Sequence, residues 1–326
     1  MNETGGPEVL QLQEIPDPVI SSPTDVLVKI KAAGINPVDS KIRRGMYPIN
    51  NYPSIPGCDG AGIVEDTGEQ VARFRKGDEV YFFYGGIGTG PGNYAEYIVL
   101  DEKHIAKKPA TCDFIHAAAL PLVFITAWEA LYDRARIQAG QTVLVHAGAG
   151  GVGHIAIQIA KSASAHVCTT ISSKEKAEFV KELGADFIIN YRQQDFTDAV
   201  MQWTEGKGVD IAMDNVGGDL IQATFPAVKH FGDLVTLLQV PDGIDWTVAR
   251  MRNLRFSFEI MLTPLLYNLE EALRHQTWIL EQCARLADEN NLFVHVSDVL
   301  SMEQASRAHQ KIESGSTTGK IVLQIE

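Results

Sequence analysis

Two hydrophobic periods divide the chain. Up to about Lys107 the apolar residues come in short runs. Val26, Val28 and Ile30 alternate with Leu27, Lys29 and Lys31, the period-two pattern of a half-buried strand, here expected near a sheet edge. Further strands are expected at 60–65, 79–83 and 94–99. Prolines and a glycine run at 85–92 punctuate them, so this part reads as an all-β module with long loops. Near Pro109 the period changes. Helices are expected at 113–120 and 122–133, and then strands and helices alternate. The strands are 142–146, 166–170, 187–190, 209–214 and 232–238; the helices are 174–183, 195–203 and 220–229. That alternation predicts a parallel, doubly wound α/β sheet with its ligand site outside the carboxyl ends of the strands. After Pro241 the alternation loosens into an edge strand at 254–258, a long helix at 269–288, a strand at 295–298, a helix at 302–314 and a last strand at 320–325.

The centre of the pattern is 142–161. A β-branched run, Thr142-Val-Leu-Val-His146, leads into Ala147-Gly148-Ala149-Gly150-Gly151-Val152-Gly153 and then a helix with Val152, Ile155, Ala156 and Ile159 on one face. Gly148, Gly150 and Gly153 fit G-x-G-x-x-G in its strand–turn–helix context. Gly148 is expected to make the tight turn, Gly150 to admit a pyrophosphate and Gly153 to pack the helix on the sheet. The N–H groups of Gly151 and Val152 open the helix, where phosphate is favoured. The alternative is a glycine turn that binds nothing.

The next strand distinguishes the two dinucleotides. A strand holding NAD usually ends in Asp or Glu about 20 residues past the glycines. Here it ends Thr169-Thr170-Ile171-Ser172-Ser173, and no acid appears before Glu175. Ser172, Ser173 and Lys176 suit a 2′-phosphate, with Tyr191 and Arg192 after the following strand, so NADPH is expected. Ser172-x-x-Glu175 is equally a capping box, and Lys176 and Tyr191 also suit a solvated helix face and sheet-end packing. Further on, Asn215-Val216-Gly217-Gly218 and the stretch around Leu238 offer backbone groups to the nicotinamide ribose and amide, or are ordinary turns.

Composition narrows the partners. The net charge of −13 over 326 residues argues against nucleic acid or an anionic membrane as partner. No apolar run reaches the length of a membrane span, and the start lacks a secretory leader pattern. The four cysteines, Cys58, Cys112, Cys168 and Cys283, are scattered, as expected of reduced cytoplasmic thiols. Cys58, His104, His116, His146 and His154 form no catalytic-zinc set. A metal-free site is expected, polarised by hydrogen-bond donors. The candidates are Asn36, Tyr47, Tyr52, Asn93 and Tyr94 on loops of the β module, with Asp39 fixing the Asn36 loop. Tyr47 either faces a substrate oxygen or packs its loop.

Five stretches carry a family resemblance: 33–45 with Asn36-Pro-Val-Asp39, 56–62 with Gly57-Cys58-Asp59, Ala118-Ala-Leu-Pro121 with Thr126-Ala-Trp128, 146–153, and Gly319-Lys-Ile-Val322. In this order they resemble the quinone oxidoreductase (zeta-crystallin-like) branch of the medium-chain dehydrogenase/reductases, the zinc-independent kind. The resemblance implies a GroES-like β domain (1–112), a Rossmann NADP-binding domain (113–255) and a C-terminal segment (256–326) that completes the first. It implies Lys176 and Tyr191 at the 2′-phosphate, Thr126 in the cofactor site, and a homodimer through a strand near 254–258. Zinc-dependent members carry cysteine at or beside Asn36 and Gly-His-Glu at Gly57-Cys58-Asp59. The expected activity is NADPH-dependent reduction of quinones or α,β-unsaturated carbonyls, with Asn36 and Tyr47 at the substrate oxygen. The alternatives are a non-catalytic NADPH-binding sensor or structural protein and a zinc-dependent alcohol dehydrogenase.

Overall fold

The computed structural model describes residues 1–88 and 90–325; Thr89, in the glycine-rich loop, lies outside them. The strands are β1 (Asp25–Ile35), β2 (Asp59–Thr67), β3 (Glu79–Phe83), β4 (Tyr97–Asp101), β5 (Ala106–Lys107), β6 (Thr142–Val145), β7 (His166–Ile171), β8 (Phe187–Asn190), β9 (Val209–Asp214), β10 (Val228–Thr236), β11 (Arg255–Phe258), β12 (Val296–Ser301) and β13 (Lys320–Gln324). They fall into two compact units, Met1–Ile125 with Leu262–Glu326, and Thr126–Met261.

The first unit holds a seven-stranded sheet in the order β12-β13-β1-β2-β3-β5, with β4 on β1. The alternation in β1 buries Val26, Val28 and Ile30 against Val64, Val80, Phe82, Ile98, Ile321 and Leu323. It does not mark an edge. β1 pairs with β2, β4 and β13 and is the spine of the sheet, with Leu27, Lys29 and Lys31 only half-buried. Two registers matter below. Ile35 stands opposite Ile321 on β13, and Gly34 stands opposite Asp59 on β2, so the ends of three strands converge.

The second unit is a parallel sheet, β11-β10-β9-β6-β7-β8. β6 lies between β7 and β9, where successive strands depart in opposite directions. This is the topological switch point at which open α/β sheets bind ligands.

Several expected boundaries move. The helix Phe114–Ala118, placed by the sequence in the nucleotide domain, belongs to the first unit. The Ala118 carbonyl oxygen lies 2.3 Å from where a Cβ on Gly34 would stand, so only glycine lets this helix settle on β1. β11 pairs in parallel with β10, so the second unit runs on to Met261. The helix expected at 122–133 is α-helical over Pro121–Trp128 and π-helical over Glu129–Arg134. The one expected at 220–229 stops at Thr224, because Pro226 has no N–H to continue it, and β10 begins already at Val228.

Candidate functional site

In the second unit, β6 ends at Val145 and the chain turns through 146–150 into the helix Gly151–Ser162. The left-handed residue of the turn is Ala147, with φ of 52°, not Gly148 as the sequence suggested. Gly148 is required for another reason. A Cβ there would lie 1.9 Å from Thr169 Oγ1 on β7. Gly153 is likewise forced, since its Cβ would meet the Ala147 carbonyl oxygen at 2.3 Å. Gly150 is different. It has an ordinary extended φ of −77°, and its Cβ would touch only the Ala147 oxygen, at 3.2 Å. The fold itself has little need of glycine there.

The end of β7 carries no carboxylate. Ser173, not Ser172, caps the helix Lys174–Glu182, accepting from the Lys176 N–H at 3.3 Å. The Glu175 carboxylate folds back onto its own N–H and Ser173, which holds its pKa below the usual range. Ser172 is half-buried and its hydroxyl makes no hydrogen bond among the described residues. The Tyr191 N–H donates to the Ile171 carbonyl at 3.2 Å, which brings the backbone of Tyr191, whose side chain is exposed, to the end of β7. The structure thus brings Ser172, Ser173, Lys176 and Tyr191 to one strand end.

Asn215, Val216 and Gly217 follow β9. Asp214 accepts from the Val216 and Gly217 N–H groups at 3.0 and 2.9 Å. A Cβ on Gly217 would meet Leu238 Cβ at 2.7 Å, so Leu238 abuts this loop. Asn215 donates to the His146 carbonyl at 2.8 Å, while its Oδ1 is buried without a partner, an acceptor left open for a hydroxyl or amide donor. Val216 is exposed. Thr126 is buried in the helix Pro121–Trp128.

In the first unit the converging strand ends assemble a buried polar cluster. Asn36 is fully buried. Its N–H donates to Asp39 Oδ2 at 2.8 Å and its Nδ2 to Asp59 Oδ2 at 2.8 Å. Its Oδ1 accepts from Lys320. Lys320 also donates to the Ile35 carbonyl at 2.8 Å and pairs with Asp59 at 3.6 Å. Asp59 Oδ1 accepts from the Leu122 N–H at 2.9 Å. Asn36, expected as a donor to substrate, is thus also a hub of this cluster, with its Oδ1 and one Nδ2 proton engaged. Asp39 does fix the Asn36 loop, and it also accepts from the Tyr94 hydroxyl at 3.1 Å and the Cys58 thiol at 3.6 Å. Burial pushes the Asp39 carboxyl up to about 7. It also raises Asp59, Cys58 and Tyr94 and lowers Lys320. In every case the charged form is disfavoured by lost water.

The remaining donors differ. Asn93 is a strut, donating to the Gly57 and Tyr84 carbonyls. Tyr52 is exposed. Tyr47 is half-buried, and its hydroxyl makes no hydrogen bond to the described residues. Burial and the neighbouring Cys58 raise its pKa, so it remains a protonated donor at neutral pH.

Among the described residues no group of three His, Cys, Asp or Glu side chains is arranged to hold a metal. The scattered histidines have other work: His104 stacks on Tyr84, His116 pairs with Asp113 and His154 Nδ1 sits 2.9 Å from the Gly150 carbonyl. The four cysteines are free thiols. Sequence reasoning missed Lys320 as a site residue. The signal was present: a single charge opening the otherwise apolar run Ile321-Val-Leu323, in a position that turns out to be buried.

Comparison with known proteins bears on both units. The alcohol dehydrogenase GroES-like domain matches residues 22–110 and the zinc-binding dehydrogenase family matches residues 183–323. The quinone oxidoreductase of Pseudomonas aeruginosa is 31% identical over 98% of this chain and 96% of its own length. A zinc-type alcohol dehydrogenase-like protein of Staphylococcus epidermidis is 30% identical over 96% of this chain and 93% of its own. The crystal structure of Escherichia coli quinone oxidoreductase complexed with NADPH superposes with a TM-score of 0.88 at 29% identity, covering 99% of this chain and 98% of that one.

Proposed function

Because the chain belongs to the medium-chain dehydrogenase/reductase family, we propose that it is an NADPH-dependent reductase of quinones or α,β-unsaturated carbonyls that works without a metal. The observation that carries the cofactor choice is the acid-free end of β7, with Ser172 unengaged next to the Ser173 cap of the helix that carries Lys176, and the Tyr191 backbone bonded to Ile171. When bound, NADPH supplies a hydride from its nicotinamide ring. The residues that hold it are the Gly151 and Val152 N–H groups at the pyrophosphate, Ser172, Ser173, Lys176 and Tyr191 at the 2′-phosphate, and Asn215, Val216 and Leu238 toward the nicotinamide ribose, with Thr126 on the helix before the π-helical turn. The pattern of the three glycines supports this placement.

Tyr47 donates a hydrogen bond, and then a proton, to the substrate oxygen as negative charge develops there. Asn36 acts by position, as part of the buried frame beneath that loop. The metal-free form is supported by the residues at the zinc-ligand positions. Asn36 is spent on Asp59 and Lys320, and the ammonium of Lys320 already stands beside Asp59. We further place the enzyme in the cytoplasm as a homodimer formed through β11, the edge strand of its sheet.

Anaerobic single-turnover oxidation of NADPH by a quinone and by an enone tests the reading. Oxidation by either is expected. Tight NADPH binding without turnover over a broad electrophile panel favours a sensor instead, and stoichiometric zinc in the purified protein overturns the metal-free form. Lys176→Ala is expected to weaken NADPH by roughly tenfold, the scale of one lost charge-assisted contact, while leaving NADH nearly unchanged. Equal loss for both cofactors counts against the 2′-phosphate assignment.

A further inference from the structure

Beneath the glycine turn lies a buried hydrogen-bond chain that the cofactor reading does not use. His146, the residue before the left-handed Ala147, has no exposed surface. Its Nδ1 lies 3.2 Å from Thr170 Oγ1 on β7 and its Nε2 lies 3.0 Å from Thr224 Oγ1.

The direction of each bond follows from its neighbours. Thr224 donates its hydroxyl proton to the Leu220 carbonyl at 2.7 Å, so only its lone pairs face the imidazole and Nε2 carries the proton. In a neutral ring Nδ1 is then an acceptor. Thr170 donates its proton to Nδ1 and accepts the Ala147 N–H at 3.0 Å with a lone pair. One arrangement satisfies every group: Ala147 N–H to Thr170, Thr170 to His146, His146 to Thr224, and Thr224 to Leu220. Burial favours the neutral ring, taking the His146 pKa down to about 4 against the opposing pull of Asp214.

The near end of this chain is the strained point of the turn. An alanine at φ of 52° is disfavoured without support. Its N–H is held by Thr170, and its carbonyl accepts the Gly150 N–H at 2.9 Å. The Gly148 N–H is fixed to the Thr170 carbonyl at 3.1 Å. The His146 carbonyl anchors Asn215, so the same residue also ties in the loop after β9.

We propose that Thr170 and His146 are positioning residues for the dinucleotide pyrophosphate: the directed chain from Ala147 to Thr224 holds the phosphate turn in its binding shape before the cofactor arrives. The proposal rests on the NADPH reading and deepens it. Thr170 touches no phosphate; it acts through Ala147 and Gly148.

The test compares NADPH with adenosine 2′-monophosphate, which has no pyrophosphate and engages only the end of β7. Binding of each is measured by titration calorimetry in the full-length protein and in Thr170→Val, Thr170→Ser and Thr224→Val. Valine keeps the shape of threonine and removes the hydroxyl; serine keeps the hydroxyl. Thr170→Val is expected to weaken NADPH by about tenfold to a hundredfold, as for one buried N–H left unpaired. Thr170→Ser is expected to stay within about threefold and Thr224→Val to fall between them, because it cuts the chain one bond further from the turn. Adenosine 2′-monophosphate binding should be unchanged in all three, which a general loss of structure would not allow. Unchanged NADPH binding in Thr170→Val, or equal loss of both ligands, overturns the proposal. Failure of the unmodified protein to bind either ligand overturns the NADPH reading itself, and the proposal with it.

Discussion

The glycine turn of one unit and the buried cluster of the other both sit at strand ends, and both leave few polar groups unpaired. They are built from different chemistry. Around the turn, the chain from Ala147 to Thr224 is neutral: hydroxyls, an imidazole and a backbone N–H, linked by bonds that each run in one direction. The cluster holds Lys320, Asp59 and Asp39 with no exposed charge to speak of. Neutral chains cost little to bury once satisfied. Buried charges cost several kcal/mol each and are tolerated only while every partner is present. The turn should therefore fail in function before it fails in stability, and the cluster the other way round.

The largest expected effect is at the cluster. Lys320→Met keeps much of the side-chain volume and leaves Asp59 buried without its cation, beside Asp39. A loss of about 3–5 kcal/mol of unfolding free energy is expected, read as a lower denaturant midpoint at unchanged slope. A loss below about 1 kcal/mol would mean that the carboxylates relax by taking up protons, and that the cluster is not ionic.

Gly148→Ala is next, and it tests the part of the turn that is structural. Its Cβ would drive into Thr169 Oγ1 at 1.9 Å and Ile157 Cδ1 at 3.0 Å, and moving Thr169 breaks its 2.7 Å bond to the Val145 carbonyl. Overpacking of this kind costs about 1–3 kcal/mol. Thermal or denaturant unfolding of the nucleotide-free protein reads it directly.

The pH dependence of the cluster has an unusual sign. Asp39 binds its proton more tightly in the folded chain, with a pKa of about 7 against 3.8 for the free side chain. Its contribution to stability is complete below the lower value and is lost as pH rises through the window to about 7. The buried histidines act oppositely. His104, His146 and His309 fall from 6.5 to about 4, 4 and 3, so they lose stability as pH falls. The difference between the protein and Asp39→Asn separates the two. Relative to the variant, the unmodified protein should lose stability between pH 4 and 7; a flat difference curve would show that Asp39 stays ionised.

The same contrast explains how much could be read in advance. The turn lies within a dozen consecutive residues, and its glycines, its strand and its helix announce themselves by spacing. Even there the reason for Gly148 was misassigned, because its close neighbour, Thr169, sits on the next strand. The capping pattern Ser172-x-x-Glu175 points to Ser172, yet the helix starts one residue later and Ser173 caps it. The cluster depends on two registers, Ile35 with Ile321 and Gly34 with Asp59, that join residues far apart in the chain. No local pattern says that Asn36 will find Lys320, so a loop asparagine was read as a donor to substrate and not as a hub. The placement of Phe114–Ala118 failed similarly, since the space above Gly34 that receives it is a property of the folded sheet.

Gly150→Ala is the smallest change in stability and the sharpest separation of structure from binding. Its φ of −77° suits alanine, and the added Cβ meets only the Ala147 carbonyl oxygen, at 3.2 Å. Replacing glycine at an allowed conformation also removes freedom from the unfolded chain, which offsets the tight contact. The net change in unfolding free energy should lie within about 0.5 kcal/mol of zero. NADPH affinity should nevertheless fall by about tenfold or more, because the methyl group stands where the pyrophosphate approaches the backbone. Gly148→Ala is expected to show the reverse balance, with a clear loss of stability in the protein that has never seen nucleotide. If Gly150→Ala bound NADPH normally, the turn would be a glycine-rich corner that binds nothing there, and the similarity of the three glycines to a cofactor motif would rest on packing alone.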